Sequence, residues 1–385
     1  MVLTPILRSF DKLLFSKTIS VVAIRVPRQL CHTVHRTQLS DYLLRNPHYK
    51  SVQLDPSSNE NRFVLLKEDI TDPSLSQLPD HLRTWIQQNS SLSSLMYPIY
   101  FSYDDFSATE VLRAILPSNL EVPSSYEQVG HIVHLNLDAS LLPFKYVIGQ
   151  VYLDKIPSCK TVVNKIGRIL SPWRTFDMEV IAGEDNTVVE VKEGNCTFSF
   201  DYRKVYWNSR LHHEHRRLVN SFSNTDCVVD MFCGVGPFAI PAAKRGCHVY
   251  ANDLNPSCIE SLKRNCITNH VNSNYCNHHQ VSDRVIPFQL DARDFISQLT
   301  SKQIPIHQII MNLPVSAESF CDVFESCFSK YPYRLPRVHC YMFSKQADAI
   351  QDCILVVSEF LFHSQRLEKI NSGGRSKKDD DVDIL

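Results

Sequence analysis

The chain has 385 residues, of which 43% are hydrophobic, 10% aromatic and 21% charged, a composition that excludes disorder, collagen and coiled coil for most of its length. Its 40 basic and 41 acidic residues give a formal net charge of -1. This balance excludes a nucleic-acid binder that is basic over its whole surface, but it leaves a local basic surface open. The length predicts two or three domains, and no apolar run is long enough to predict a membrane span.

Thirteen cysteines are scattered along the chain, and no two of them form a Cys-x-x-Cys pair. Several lie within or beside apolar stretches, including Cys227, Cys233, Cys247 and Cys340. An odd number without the spacing of a disulfide framework or a zinc site predicts free thiols in a reducing compartment and no bound metal.

The sequence pattern of residues 1–88 predicts a small α+β domain. The first 17 residues are amphipathic, basic and hydroxylated, which leaves a mitochondrial presequence open. Because Asp11 interrupts the acid-poor pattern and residues 18–26 continue as a strand, we favour the first strand of a domain over a presequence. The other elements predicted here are a short helix near residues 38–45 and polar loops at residues 55–62 and 72–76.

A polar linker at residues 87–94 leads to a second α+β domain, predicted over residues 96–215. The spacing of apolar residues predicts a helix over residues 107–116, ending before Pro117. Strand-like runs follow at residues 131–137, 147–153, 178–182, 187–193 and 196–202. Their clustering predicts an antiparallel sheet that ends near Arg210.

From Asp226 onward the pattern is strand, glycine-rich turn, helix and strand, which is typical of a parallel α/β sheet. The first strand ends at Asp230, and the turn contains Gly234 and Gly236, which allow the backbone to pass close to a ligand. Ala239 stands where a dinucleotide-binding loop has its third glycine, and that loop tolerates alanine. No Lys-Ser or Lys-Thr follows, which argues against a triphosphate site.

The next strands also end in polar residues. Asp253 lies about 20 residues after the loop, where a carboxylate accepts both hydroxyls of a ribose, although it could instead cap the helix that begins near Pro256. Asp291 ends another strand and suits an adenine amino group, and Asn312 ends a fourth. Four polar strand ends in succession predict a nucleotide-like cofactor at one edge of the sheet.

These motifs resemble those of the class I S-adenosylmethionine-dependent methyltransferases. More narrowly, the chain resembles the eukaryotic and archaeal tRNA (guanine-N1)-methyltransferases that act on guanosine-37. The resemblance covers roughly residues 10 to 345 and is carried by residues 130–137, 142–151, 204–216, 230–240, 250–256 and 311–314. It implies a Rossmann-like catalytic domain over residues 216–365, preceded by the two smaller α+β domains, of which the first docks on the tRNA.

The resemblance also implies contacts with S-adenosylmethionine. The residues implied, besides Asp230, Gly234 and Gly236, are His215, Asp253, Leu254, Asp291, Ala292 and Asn312. His215 is the position expected to meet the carboxylate of the cofactor. No metal is implied, and a tRNA bearing guanosine-37 is the implied partner of a chain expected to act as a monomer.

Methylation of guanine N1 requires a base that removes the N1 proton and a donor near O6, where negative charge develops. The resemblance implies Glu214 as the base and Arg174 near O6. From the residues alone, the favoured explanation is that Glu214 is a surface glutamate paired with Arg217 and that Arg174 is a solvent-facing arginine; the resemblance reverses this order. Asn312 is a candidate contact for the guanine edge, and Tyr206 either walls the base pocket or belongs to the core.

Family members normally add a closing pair of strands, whereas residues 354–362 lead directly into a tail, residues 366–385, that is predicted to be disordered. We therefore expect an incomplete sheet edge.

Candidate phosphate contacts are Lys145, Lys155, Lys165 and Arg168. The nucleus, cytoplasm and mitochondrial matrix all remain open as compartments.

Two alternatives to this methyltransferase are kept. One is the aminocarboxypropyl transferase of the wybutosine pathway, which uses the same cofactor, and the other is a non-catalytic tRNA-binding copy. The presence of Arg174, Glu214 and Asn312 together speaks against the first, and the intact cofactor acids speak against the second.

Overall fold

The structure, a computed structural model, describes residues 9–166, 177–271, 284–313 and 316–343, together with residues 346, 348 and 351. The chain forms two compact units, of which the first contains residues 1–124 and 138–156 and the second contains residues 125–137 and 157–385. This division differs from the domain limits predicted at residues 88 and 215. No helix in the described ranges is long and apolar enough to cross a membrane.

The first unit contains an antiparallel four-stranded sheet with strand order β2-β3-β1-β4. Its elements are β1 (Lys17–Pro27), α1 (Arg28–Thr33), β2 (Val52–Asp55), β3 (Ser58–Leu65), α2 (Asp80–Gln88), β4 (Ser93–Phe101), α3 (Ala108–Ile115) and α4 (Lys145–Lys155). Side chains of β1 alternate between two cores, so that Val22 and Ile24 pack with α2, while Val21 and Ala23 pack with β4 on the other face. Because β4 pairs with β1, this sheet extends beyond the predicted limit at residue 88.

Two predictions for the first unit are confirmed. The strand at residues 18–26 is β1, and the helix at residues 107–116 is α3. Helix α3 begins where Ser107 and Glu110 form a reciprocal capping box, and it ends before Pro117.

The short helical stretch predicted near residues 38–45 is present in part, as a 3-10 helix at Ser40–Tyr42. Two other predictions for this unit are wrong. The predicted loop at 55–62 is mostly the β2–β3 hairpin. The run at 147–153 is part of helix α4 instead of a strand. Its apolar residues are buried around most of the helix, so the hydrophobic pattern carries no helical period and does not distinguish the two structures.

The second unit begins with a four-stranded sheet and a separate hairpin. The sheet contains β5 (Glu127–Val129), β6 (Ile132–Leu135), β7 (Thr161–Ile166) and β8 (Asp177–Gly183), and the hairpin contains β9 (Val188–Glu193) and β10 (Cys196–Asp201). Strands β6 and β7 are parallel, because the chain between them forms α4 before it returns. The prediction of one antiparallel sheet is therefore wrong, although four of its five strands are present.

The predicted parallel sheet is confirmed. Its strands run in the order β13-β12-β11-β14-β15, and every neighbouring pair is parallel. They are β11 (Cys227–Asp230), β12 (His248–Asn252), β13 (Val285–Phe288), β14 (Gln308–Met311) and β15 (Arg337–Cys340), and the helices are α5 (His212–Ser221), α6 (Ala239–Lys244), α7 (Pro256–Thr268), α8 (Ala292–Ser301) and α9 (Asp322–Phe328).

Apolar side chains pack on both faces of this sheet. Val228 and Val229 are adjacent on β11 and belong to cores on opposite faces, as expected of a parallel sheet covered on both sides. Residues 354–362, after which no closing strand is predicted, and the tail at 366–385 lie outside the described residues, so the prediction of an incomplete edge stays a prediction.

Two asparagines of α7 join the β9–β10 hairpin to the parallel sheet domain. Asn265 is buried, accepts the Ser199 N–H at 2.8 Å and donates to the Val235 carbonyl at 3.1 Å. One turn later, Asn269 accepts the Thr197 N–H at 2.9 Å and donates to the Thr197 carbonyl at 2.7 Å. The two side-chain amides therefore supply hydrogen bonds that the outer edge of β10 would otherwise lack.

We expect Asn265→Ala to lower the free energy of unfolding by about 2 to 3 kcal/mol, because it leaves the Ser199 N–H and the Val235 carbonyl without this partner. Thr268→Ala, an exposed substitution on the same helix, should change it by less than about 0.5 kcal/mol. Urea unfolding of both variants measures the difference, and equal stabilities would contradict this role of Asn265.

Candidate active site

The polar strand ends predicted from the sequence lie at one edge of the parallel sheet. Asp230 is the last residue of β11, Asp253 follows β12, and Asn312 follows β14. Asp291 follows β13 and begins α8 as its N-cap. Because parallel strands end at the same edge, these four side chains are grouped there, which is where α/β sheets bind ligands.

Asn252 holds this edge together. Its buried side chain donates to the carbonyls of Met231 at 3.3 Å and Leu290 at 3.0 Å, and it accepts the Leu290 N–H at 2.9 Å. One amide thus joins the chain segments that follow β11 and β13 to the end of β12. Asn252 is not among the predicted site residues, although it lies within residues 250–256, one of the segments that carry the resemblance.

The glycine-rich turn that follows β11 contains two residues, Gly234 and Gly236, whose positive φ angles favour glycine. Gly236 has φ +100°, which strains any residue with a side chain, and a Cβ there would also lie 2.7 Å from Leu262 Cδ1, so that Leu262 would have to shift. Gly234 has φ +52°, but a Cβ there would meet nothing within 4 Å. The space beside Gly234 is therefore open, as expected for a loop that lets a ligand approach the backbone.

Asp253 fixes the turn to the end of β12. Its carboxylate accepts the Gly234 N–H at 2.9 Å through one oxygen and the Asn255 N–H at 2.9 Å through the other. Burial raises the pKa of Asp253, and these two N–H groups oppose the rise. The N-cap of α7 is Asn255 rather than Asp253, so the helix-cap alternative for Asp253 is wrong.

Asn255 also ties a second motif to this edge. Its amide donates to the Lys204 carbonyl at 2.7 Å, which holds the segment containing Tyr206 against the start of α7. The Tyr206 side chain is about half exposed, with 48% of its surface accessible, so it is not a core residue. The hydroxyl accepts a 3.4 Å contact from Asn208.

Asp230 is the most unusual residue of the site. It is fully buried, and neither carboxylate oxygen has a hydrogen-bond partner in the described part of the chain. Burial raises the pKa of Asp230 to about 8, with a further rise from Asp253, while the nearby Phe232 N–H opposes the shift without forming a well-aligned hydrogen bond. An orphaned buried acid of this kind is suited to a ligand that brings its own donor or positive charge.

His215 is a second buried side chain at this site, and one of its ring nitrogens has no hydrogen-bond partner in the described chain. Its Nδ1 lies 2.7 Å from a carboxylate oxygen of Glu193, so Nδ1 carries the proton of this hydrogen bond. The imidazole packs edge-on against Phe238, just after the glycine turn, with 4.6 Å between ring centres. The His215 Nε2 is buried and has no partner among the residues described. Glu193, which the sequence analysis missed, therefore orients a ring whose other nitrogen is available to a ligand.

Glu214 lies one residue earlier on α5 and is the predicted base. Arg217 donates to both of its oxygens at 2.7 Å, and the Tyr341 hydroxyl donates to Oε1 at 2.6 Å. The Arg217 hydrogen bonds hold the pKa of Glu214 below its ordinary value, with smaller contributions from Tyr341 and His215, against an opposing effect of burial. The predicted pairing with Arg217 exists, but Tyr341, which follows β15, also brings Glu214 to the ligand edge of the sheet.

The other predicted residues have varied environments. Asn312 is partly buried and makes no side-chain hydrogen bond within the described ranges, so its amide is available at the edge. Asp291 is exposed and accepts the Arg293 N–H at 2.9 Å. Leu254 is half exposed and Ala292 is buried. Arg174 lies outside the described residues, so its prediction stays untested.

The predicted phosphate contacts are divided between the two units. Lys145 and Lys155 lie on α4 in the first unit, Lys165 lies on β7 in the second, and Arg168 is outside the described residues. The Lys155 ammonium donates to the Tyr103 carbonyl and lies over the Tyr103 ring, 3.8 Å from its centre. Lys155 thus has a structural contact within its own unit, and the phosphate role of all four residues stays a prediction.

Comparison with known protein families gives two adjacent matches. Residues 108–187 match the TYW2 N-terminal domain, and residues 188–352 match the TRM5/TYW2 methyltransferase domain. The second match contains the parallel sheet and the site residues from Glu193 to Tyr341.

Curated relatives match most of the chain. A protein of Phytophthora infestans is 40% identical over 370 residues, spanning 94% of this chain and 85% of that protein. A Dictyostelium discoideum protein is 39% identical, with coverages of 89% and 73%, and a Homo sapiens protein is 37% identical, with coverages of 89% and 68%. All three are named tRNA (guanine(37)-N(1))-methyltransferase.

Solved structures share the fold. The crystal structure of Trm5b from Pyrococcus abyssi aligns with a TM-score of 0.61 at 23% identity, covering 90% of this chain and 91% of that one. A complex of aTrm5 with tRNALeu aligns with a TM-score of 0.62 at 23% identity, covering 89% and 91%. At these identities the likeness establishes the fold alone.

The raised pKa of Asp230 predicts a pH-dependent stability. An unfolded aspartate has a pKa of about 3.9, so between that value and about 8 the folded chain holds a proton that the unfolded chain releases. The stability contributed by neutral Asp230 is thus lost as pH rises through this window. Asp230→Asn, which cannot ionise, should gain stability relative to the natural chain as pH rises, by up to about 1.4 kcal/mol per pH unit. Urea unfolding from pH 5 to 8 measures this, and parallel profiles would contradict a buried neutral carboxyl.

Proposed function

Because the chain belongs to the tRNA (guanine(37)-N(1))-methyltransferase family, we propose that it transfers a methyl group from S-adenosylmethionine to N1 of guanosine-37 in tRNA. One observation in the structure carries the proposal. Glu214, an acid with a lowered pKa, is held by Tyr341 at the same sheet edge as the open turn at Gly234 and the orphaned acid Asp230. A base beside a nucleotide-type site is what methylation of a protonated ring nitrogen requires.

The groups at this edge fit S-adenosylmethionine. Asp230 is a buried carboxyl without a partner in the described chain, which suits the ammonium group of the methionine part. The His215 Nε2, which has no partner in the described chain, is available to a polar group of the methionine part, and the space beside Gly234 admits a ligand close to the backbone. Asp253 retains lone pairs beyond its two backbone hydrogen bonds, and these would accept ribose hydroxyls.

The chain's own residues supply the proton chemistry. When bound, the cofactor provides an electrophilic methyl group on a sulfonium. Glu214 removes the proton from guanine N1, and its lowered pKa keeps it ionised and ready to do so at neutral pH. We assign the Asn312 amide, which has no other hydrogen bond in the described ranges, to the edge of the guanine. We assign Arg174, by the resemblance alone, to the negative charge that develops on O6.

The tRNA must present its base outside the stack, since N1 is not accessible within stacked and paired nucleotides. The half-exposed ring of Tyr206, on the segment that Asn255 holds beside the site, is a suitable wall for such a base.

We propose that the chain acts as a monomer, and that it works in the cytoplasm, nucleus or mitochondrial matrix. Sedimentation and imaging of a tagged full-length chain test these two points.

The aminocarboxypropyl transferase remains the rival to be tested, because the matching family model is described as a TRM5/TYW2 domain and does not distinguish the two names. That reaction moves the aminocarboxypropyl chain of the cofactor instead of its methyl group, whereas a base that removes the N1 proton is a requirement of methylation at guanine N1. The tight fixation of Glu214 therefore favours methyl transfer.

We expect methyl transfer from labelled S-adenosylmethionine to a tRNA transcript with guanosine-37 and none to a matched transcript with adenosine-37. Glu214→Gln should lower kcat by roughly 100-fold or more, since general base catalysis contributes about that factor. Labelling the methyl group and the carboxyl carbon of the cofactor separately distinguishes the products. Transfer of the carboxyl label would establish the rival reaction, and transfer of neither label would contradict the proposed methyl transfer.

Gly234→Ala should weaken S-adenosylmethionine binding by about tenfold or more, because the new methyl group would occupy the open space beside the turn. Gly194→Ala is the matched control, since Gly194 has φ +58° and equally open surroundings but lies in the β9–β10 turn. Both variants carry similar backbone strain of about 1 to 2 kcal/mol. Calorimetric titration measures binding, and equal affinities would contradict a cofactor beside Gly234.

A further inference from the structure

The carboxylate of Glu214 has unequal oxygens. Oε1 accepts from Arg217 Nη2 at 2.7 Å and from the Tyr341 hydroxyl at 2.6 Å. Oε2 accepts from Arg217 Nε at 2.7 Å. A carboxylate oxygen has two lone pairs, so these contacts use both on Oε1 and leave one on Oε2.

The two donors reach Glu214 from different elements. Arg217 is three residues away on α5, so its contact moves with the helix. Tyr341 follows β15, and its backbone N–H donates to the Met311 carbonyl at the end of β14. Its ring packs 5.8 Å from Phe238, which packs on His215. The Tyr341 hydroxyl therefore fixes Glu214 relative to the sheet edge rather than to its own helix.

We propose that Tyr341 is a positioning residue for the base, one that occupies Oε1 and directs the guanine N1 proton to Oε2. The proposal rests on the proposed function, because it requires Glu214 to act as the base. In the step it serves, the N1–H bond breaks and an Oε2–H bond forms. The electron pair left on N1 bonds to the methyl group, whose former bonding electrons stay with sulfur, and Glu214 later releases the proton to water.

The charges around Glu214 set the direction of the pH effect. Arg217, Tyr341 and His215 are the groups that act on it, and all three favour its ionised form. Tyr341 stays a neutral donor, because burial and the adjacent Glu214 raise the pKa of its phenol. Removal of the Tyr341 hydroxyl should therefore raise the pKa of Glu214 and move the acid limb of the rate profile to higher pH.

The test is Tyr341→Phe, which keeps the ring on Phe238 and removes the donor. We expect kcat for the guanosine-37 transcript to fall about tenfold, with the acid limb of kcat moved to higher pH and KM for tRNA and the S-adenosylmethionine affinity nearly unchanged. In a Glu214→Gln background the same change should alter the residual kcat by less than about twofold. Tyr341→His, which keeps a ring with an N–H donor, should recover part of the rate.

Tyr331→Phe is the matched control, because its hydroxyl donates to the Ile304 carbonyl and accepts the Ile306 N–H in the same unit. It should leave kcat and the pH profile unchanged. An unshifted acid limb in Tyr341→Phe, or an equal loss of kcat in the Glu214→Gln background, would show a merely structural tyrosine and overturn the inference. If the natural chain itself fails to methylate guanosine-37, the proposed function falls and this inference with it.

Discussion

The site depends on the side-chain amide of Asn252, which joins the ends of three parallel strands. Parallel strands of a twisted sheet diverge beyond their last hydrogen bonds, and the segments after them are held by whatever side chains lie there. Asn252 donates to the carbonyls that follow β11 and β13 and accepts an N–H from the latter. This fixes where the chain turns away, and hence where Asp230 and Asp253 present their carboxylates.

The same edge contains acids that are tuned in opposite directions. Asp230 is fully buried and accepts no hydrogen bond in the described structure. Its pKa is therefore raised, and the carboxyl keeps its proton near neutral pH. Glu214 is less buried and accepts hydrogen bonds from Arg217 and Tyr341. These contacts lower its pKa, so it is ionised at a lower pH than an ordinary glutamate. The two groups are therefore suited to different tasks. A cationic ligand would supply the partner that Asp230 lacks and displace its proton, whereas Glu214 is already ionised and can accept a proton.

The sequence was informative wherever a local pattern determines structure. The parallel strands and their polar ends follow from short apolar runs and glycine turns, and they were predicted correctly around Asp230, Asp253, Asp291 and Asn312. Helix α4 was missed, because an element buried around most of its surface shows no helical period. The parallel pairing of β6 and β7 was missed for the same reason, since α4 lies between them in the chain.

Side-chain partners could not be predicted from the sequence. Glu193 and His215 are 22 residues apart, and Glu214 and Tyr341 are 127 residues apart, so no motif spacing connects them. The resemblance named His215 and Glu214 but not the groups that orient them. Those partners are set by the packing of α5 against the glycine turn and the end of β15.

Asn265 has a consequence for how this protein can diverge. Its single amide serves the β9–β10 hairpin through its oxygen and the glycine turn through its nitrogen. A change to aspartate would keep the first contact and lose the second, and a change to alanine would lose both. Because both partners are backbone groups, the side chains of the hairpin and of the glycine turn can vary, whereas residue 265 must remain asparagine for both contacts to persist.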